Sequence, residues 1–335
     1  MSDLTKAATI YDVAERAGVS HITVSRYLRG FEGIRPATAQ RVREAISELS
    51  YRTNSAARQL RLGRANRVCV LAHDLDKAGP AQVIQGAFAE AKRRGYILDI
   101  ILIDGNDPQS VEDAISLALE QRIAGILATA QSDILLAKLD TLAGSVPVGG
   151  EIGSTTDTAL VNETAGWLAA DHLVGLGHSH IGFIGGPTGW DASRERLTGF
   201  ERRLEASKLS LGVSAPGDWS AGSAYAVVRS LGADLAGVTA IAAANDSMAI
   251  GAIAALSELG KRIPDDVSVV GIDDLVESQF RQPALTSVAM DHEGQGALSM
   301  SLLLDRIEDV VSDNSGDLLS PPVVRVRQST APLLT

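Results

Sequence analysis

From Val68 onward, short apolar runs alternate with longer helical stretches, and this alternation leaves few folds open to the chain. Residues 68–72, 97–103, 125–128 and 146–150 read as buried strands, separated by helical segments near 81–94, 111–121 and 134–142. The pattern restarts after Asn162, with a helix to residue 176 and then strands at 181–185, 241–244 and 267–272. Strand–helix–strand order requires crossover connections, so each half is expected to be a parallel sheet covered by helices on both faces. Two such doubly wound halves, with a boundary near residue 162, imply a cleft where the carboxyl ends of their strands converge.

The first 65 residues are different. They carry eleven Lys or Arg against six Asp or Glu, a balance of +5, whereas the remaining 270 carry a balance of −16. The net charge of −11 therefore hides a basic head on an acidic body. No acid lies between Glu48 and Asp74, while Arg52, Arg58, Arg61, Arg64 and Arg67 do. On charge alone this stretch fits a solvated linker as well as a phosphate-binding segment. Hydrophobic residues make up 45 %, no run approaches the ~20 apolar residues of a membrane span, and residues 1–10 lack a secretory apolar stretch. With Cys69 as its one cysteine the chain has no internal disulfide, and a cytoplasmic location is expected.

Within the head, Thr9 and Asp12 are spaced as a capping box opening a helix over about 10–17. Gly18 breaks that helix, and Ser20 is the natural N-cap of a second one ending near Leu28. A third follows Pro36. Val13, Ala14, Ala17, Val19, Val24 and Tyr27, with Val42, Ala45, Ile46 and Leu49, fall where helices crossed at a turn must bury side chains. In a helix-turn-helix the second helix enters the major groove of DNA. Its outward residues here are His21, Ile22 and Arg26: Arg26 suits a guanine edge and Ile22 a thymine methyl. Thr9, Ser20, Thr23, Ser25, Tyr51 and Asn54 offer polar groups to phosphates.

The run Ala8-Thr9-Ile10-Tyr11-Asp12-Val13-Ala14-Glu15-Arg16-Ala17-Gly18-Val19-Ser20, with Thr23-Val24-Ser25-Arg26, resembles the signature of the lactose-repressor family of transcriptional regulators. Asn54-Ser55-Ala56-Ala57-Arg58-Gln59-Leu60 is similar to that family's hinge helix. The resemblance implies a helix-turn-helix head over 1–52, a hinge helix and linker over 53–65, and an effector-binding, dimerising core over 66–335. The core would have the architecture of the periplasmic sugar-binding proteins. It also implies that Asn54, Ala57 and Leu60 touch DNA, Leu60 as an apolar wedge in the minor groove. Thr53 stands where the family usually has proline, and Arg35 where a capping serine often precedes the third helix.

Asn245, Asp246, Asp273 and Asp274 follow strand ends, and Trp190, Arg196 and Trp219 follow glycine-rich turns. A sugar presents an apolar face to a tryptophan and a belt of hydroxyls to Arg, Asn and Asp. Asn and Asp at strand ends also serve as plain helix caps. The family resemblance implies effector contacts from Arg196, Asn245 and Asp273, from Trp219 as the galactoside-stacking residue, and from Trp190 and His292. A glycoside is thereby favoured over a purine. The segment His73–Pro80 lacks the paired aromatics many members carry, and Glu151 stands near a family cleft aspartate.

Two other classes fit some of the residues. Asp273 with Glu151 could be cast as a glycosidase carboxylate pair, and the core alone could be a transport binding protein. Gly185-Gly186-Pro187-Thr188-Gly189 lacks dinucleotide-fold spacing, and the six histidines form no compact metal set. The expectation is therefore a regulator and not an enzyme, without cofactor or metal. Its partners are a palindromic operator, bound as a homodimer, and a sugar effector that releases a repressor of carbohydrate-utilisation genes. No leucine heptads follow Val310, so a C-terminal coiled-coil tetramer is not expected.

Overall fold

The computed structural model describes residues 8–28, 31, 33–49, 51, 65–129, 132–142, 144–150, 158–310 and 319–333. The expected hinge residues Asn54, Ala57 and Leu60, and Glu151, lie outside these. The chain divides into two compact units, Met1–Ala65 and Asn66–Thr335.

The head is three helices: α1 (Ile10–Ala17), α2 (His21–Leu28) and α3 (Pro36–Glu48). Thr9 and Asp12 form the capping box reciprocally, with Thr9 N–H donating to Asp12 Oδ2 at 2.7 Å. Gly18 closes α1 in the left-handed region, at φ 64°, a conformation cheap only for glycine. Ser20 Oγ accepts from Thr23 N–H at 3.2 Å and starts α2. Arg35 gives α3 no side-chain cap, so Pro36 alone sets its first turn. Val13, Ala14, Ala17, Val24, Val42 and Ala45 form the buried centre, with Val19, Tyr27, Ile46 and Leu49 packed around it.

The core holds two sheets. The first joins β1 (Arg67–Ala72), β2 (Ile97–Leu102), β3 (Gly125–Ala128) and β4 (Val148–Gly150) in the order β2-β1-β3-β4, all parallel. Between them run α4 (Ala78–Arg93), α5 (Pro108–Leu119) and α6 (Asp133–Leu142). Alternate β1 side chains serve opposite layers: Val68 and Val70 pack with Ile84 and Ala87 of α4, while Cys69 and Leu71 belong to the cluster with Val111 and Ile115 of α5. Burial pushes the Cys69 thiol up to about 11.

The second sheet contains β5 (Ile181–Gly185), β6 (Val213–Pro216), β7 (Ala240–Ala243), β8 (Ser268–Asp273), β9 (Thr286–Ala289) and β10 (Val323–Arg325). Their order is β10-β9-β8-β7-β5-β6, parallel except for β10. Its helices include α7 (Thr158–Gly175), α8 (Asp191–Ala206), α9 (Ala221–Leu231) and α10 (Asp246–Glu258). Asn162, expected at the boundary, sits inside α7, which begins earlier.

A single cut near residue 162 does not separate the subdomains. The last helix, α11 (His292–Glu308), leaves the second sheet after β9 and packs on α4, β3 and β4 of the first. Met300, Leu303 and Leu304 fill the layer under Val68 and Val70, which α4 alone leaves uncovered. The helices cross through a reciprocal pair of glycines. A Cβ on Gly86 would lie 1.9 Å from Glu293 O, and one on Gly296 would lie 1.8 Å from Val83 O. The chain returns to the second sheet as β10, having passed between subdomains three times. Among the described residues, no helix is long and apolar enough to cross a membrane.

Candidate functional site

On the head, His21, Ile22 and Arg26 are exposed along α2, and Thr23 and Ser25 are half-buried. No acid occupies the first turn of α2, so its N-terminal amides favour an anion. The hydroxyls of Thr9 and Ser20 serve first as helix caps. Tyr51 packs its ring against the head's core, and its N–H donates to Ile46 O at 3.0 Å. One residue was missed by pattern reading. Tyr11 is 64 % exposed and lies against the His21 ring at 5.1 Å, so it extends the face that α2 presents. An exposed aromatic at the outer edge of a helix with a clear apolar stripe was the available signal.

The core's candidate site is a cleft, partly open to solvent, between the two subdomains. Trp190, Arg196, Trp219, Asn245, Asp273 and His292 all line it. Arg196 is the hub. It projects from α8, which can approach α7 closely because Cβ atoms at Gly166 and Gly199 would lie 1.9 Å from Arg196 O and Glu163 O. Arg196 Nη1 donates to Ala244 O at 2.5 Å, Nε donates to Asn162 Oδ1 at 3.1 Å, and Nη1 lies 3.2 Å from Asp273 Oδ1. Its guanidinium stands 5.8 Å from the Trp219 ring centroid.

Asp273 ends β8 at φ 106°, outside the ordinary range for a residue with a side chain. His292 Nε2 meets its Oδ1 at 3.1 Å. Burial raises the Asp273 carboxyl, but Arg196 and the His292 bond more than offset it and hold it below the usual carboxylate range. Asn245 caps α10, accepting from Met248 N–H at 2.8 Å, while its Nδ2 donates to Trp219 O at 3.0 Å. Each end of that carboxamide keeps capacity for one further bond. Trp219 is itself held at φ 71°. Its ring lies on Gly186, where a Cβ would come within 2.4 Å of Trp219 Cζ2.

Trp190 is more constrained than its sequence context indicates. Its N–H donates to Asn106 Oδ1 at 3.0 Å and one side packs on the His73 ring at 4.6 Å. His73 Nδ1 has no hydrogen-bond partner among the described residues, and burial pushes the imidazole down to about 4. Asp246 differs from its neighbour Asn245. It is fully buried, outside the cleft lining, and accepts from Leu275 N–H at 2.8 Å and from the Ser278 and Ser287 hydroxyls at 2.5 Å. Burial pushes its carboxyl up to about 7 against these donors. Lys77 pairs with Asp74 at 2.5 Å and reaches Asp218 O at 3.4 Å. Among the described residues, the formal charges lining the cleft, Lys77 with Asp74 and Arg196 with Asp273, balance. The sequence placed His73 and Lys77 in a family cleft segment and Asn162 at the boundary, but assigned none of them, nor Gly186, a role of its own; those roles depend on contacts tens of residues apart.

Two family descriptions match the chain: "Bacterial regulatory proteins, lacI family" over residues 9–54 and "Periplasmic binding protein-like domain" over residues 170–330. The HTH-type transcriptional repressor PurR of Haemophilus influenzae (strain PittEE) is 30 % identical, covering 98 % of this chain and 100 % of its own. The lactose operon repressor of Escherichia coli (strain K12) is 29 % identical, over 98 % of this chain and 92 % of that one. Among solved structures, the Lac repressor bound to ONPG in the repressed state superposes with a TM-score of 0.82 at 29 % identity, covering 97 % of this chain and 100 % of the other. A complex of the transcriptional regulator CelR with cellobiose gives 0.69 at 28 % identity, covering 96 % and 99 %.

Proposed function

Because this chain belongs to the lacI family of bacterial regulatory proteins, we propose that it is a cytoplasmic repressor of carbohydrate-utilisation genes, released from a palindromic operator by a neutral sugar. The observation that carries the effector class is the geometry around Trp219. The ring is fixed over Gly186, and Arg196, Asp273 and Asn245 surround it with directional donors and acceptors. A pyranose uses both features at once: its C–H face on the indole and its hydroxyls on the polar groups. The balanced charge of the described cleft residues disfavours a phosphate ester, which would meet Asp273 and Asp74 with no unpaired cation among them. The likeness to a cellobiose-bound regulator supports the same class.

In this reading His21, Ile22 and Arg26 face base edges, while Thr9, Ser20, Thr23, Ser25, Tyr51 and the hinge residues Asn54, Ala57 and Leu60 contact the backbone or minor groove. A single head reads few base pairs, so the working species is a homodimer. Exposed apolar residues support that assembly: Phe88, Ile97, Ile100 and Leu102 on the first subdomain, Val276 and Phe280 on the second. The effector favours one arrangement of the two subdomains and DNA the other. Their coupling is reciprocal, typically about 1–3 kcal/mol.

The test is a titration of operator release by candidate mono- and disaccharides, using wild type and Trp219→Ala. The variant should bind operator normally and lose the sugar response. Release of Trp219→Ala at the wild-type sugar concentration would refute the stacking role, and release by a non-sugar metabolite alone would refute the effector class.

A further inference from the structure

We infer that Phe31 is a positioning residue for DNA sequence recognition, holding the Arg26 guanidinium in the attitude from which it reads a base pair. The inference rests on the assignment of Arg26 as a base-contacting residue. Three contacts carry it. Phe31 lies beyond the end of α2, yet its N–H donates to Arg26 O at 3.1 Å, fixing its backbone to the recognition helix. Its ring stands beneath the guanidinium, with Arg26 Cζ 5.5 Å from the centroid, inside the range of a cation–π attraction. The ring in turn lies against Gly33, where a Cβ would come within 2.4 Å of Phe31 Cε1.

Phe31 is 54 % exposed and is absent from the buried centre of the head, so its ring has little part in holding the three helices together. A large aromatic left in water beside a recognition helix calls for another role. The π face of Phe31 restricts a long side chain that would otherwise sample many rotamers. The attraction takes up none of the five guanidinium N–H donors. They stay available for the two parallel bonds that a guanine O6 and N7 accept. The effect is to order the fork before DNA arrives, so that the ordering cost does not fall on the base contact.

The experiment is selection of bound duplexes from a randomised pool by the full-length protein, followed by sequencing. It compares wild type with Arg26→Ala, Phe31→Ala, Phe31→Tyr, Gly33→Ala and the Arg26→Ala/Phe31→Ala double variant. Arg26→Ala should flatten base preference at one base pair of each half-site. Phe31→Ala should weaken preference at that same base pair by about two- to fivefold, the worth of an exposed cation–π contact. Phe31→Tyr, which keeps the ring, should restore it. Gly33→Ala, which leaves Phe31 intact but crowds its ring, should move the preference in the direction of Phe31→Ala. In the double variant, loss of Phe31 should add nothing to loss of Arg26. If Phe31→Ala weakens binding equally on all sequences, or still acts when Arg26 is absent, the positioning role is overturned while Arg26 remains the reader. If Arg26→Ala leaves every base preference intact, the assignment of Arg26 fails, and the positioning role with it.

Discussion

The indole N–H of Trp190 donates to Oδ1 of Asn106 at 3.0 Å, and the two residues belong to different subdomains of the core. The contact is one of several along the same wall. Asp133 N–H donates to Gly189 O at 3.0 Å, and Arg194 Nη2 bonds Asp133 at 2.8 Å. Together they fasten the entrance of α8 to the start of α6. Any rocking of the subdomains that opens this wall breaks them.

Trp190→Phe keeps an aromatic ring at this position but deletes the indole N–H together with part of the bicyclic ring. Asn106 loses its partner, and the arrangement seen here should lose about 0.5–1.5 kcal/mol relative to a more open one. If the effector selects this arrangement, its dissociation constant rises by up to about tenfold. Calorimetric titration of wild type and variant measures the change, and an unaltered constant would remove Trp190 from the closing wall.

Gly186→Ala places a methyl group where the Trp219 ring now lies, 2.4 Å from Cζ2. The ring must shift from the place it now holds beside Arg196. Effector response should fall at least tenfold, while operator affinity in the absence of effector stays within about twofold, since no head residue is touched. Gel-shift titrations with and without sugar separate the two quantities.

His73 gives the core an acid limit. Its pKa is about 4 when folded, against about 6.5 in an unfolded chain, so the unfolded state binds the proton more readily. The stability contributed by keeping this ring neutral is complete above pH 6.5 and declines as pH falls towards 4. Between pH 7 and pH 5 the loss from this residue is about 2 kcal/mol. His73→Phe should show a correspondingly shallower acid decline in urea midpoint. Parallel pH profiles for the two proteins would show that His73 does not titrate in this range.

The charge split of +5 against −16 places the electrostatic attraction for DNA in the head. Log affinity for operator should fall with log salt at a slope of about −0.9 for each phosphate contacted. Arg26→Ala, if Arg26 reads a base, should lower specificity more than it changes that slope. Filter binding from low to moderate salt provides the check.

Much of this was legible because the relevant forces are local. Thr9–Asp12, Gly18 and Ser20 form caps and turns whose partners lie within three or four residues, and β1 reveals its two-sided burial in five consecutive apolar residues. Of the six cleft residues, Trp190, Arg196, Trp219, Asn245 and Asp273 could be named because each follows a strand end or a turn, whereas His292 came from the family resemblance alone. What the pattern concealed is long-range. Gly86 and Gly296 are 210 residues apart, and nothing near either one announces that α11 leaves its own sheet to cover the other. Asn162 reads as a boundary residue until it is found inside α7 with Arg196 donating to it. Trp190 reads as a stacking platform until Asn106 is found on its nitrogen.

The return of α11 to the first subdomain constrains how such a protein diversifies. Neither subdomain is encoded by one uninterrupted stretch, so a single recombination event between two relatives cannot exchange a whole subdomain. One crossover near residue 162 would set one parent's α11 on the other's α4, testing the Gly86–Gly296 crossing with mismatched partners. The cleft lining, assembled from both stretches through His73 and His292, is therefore inherited either by point substitution or by a double exchange that carries α11 along.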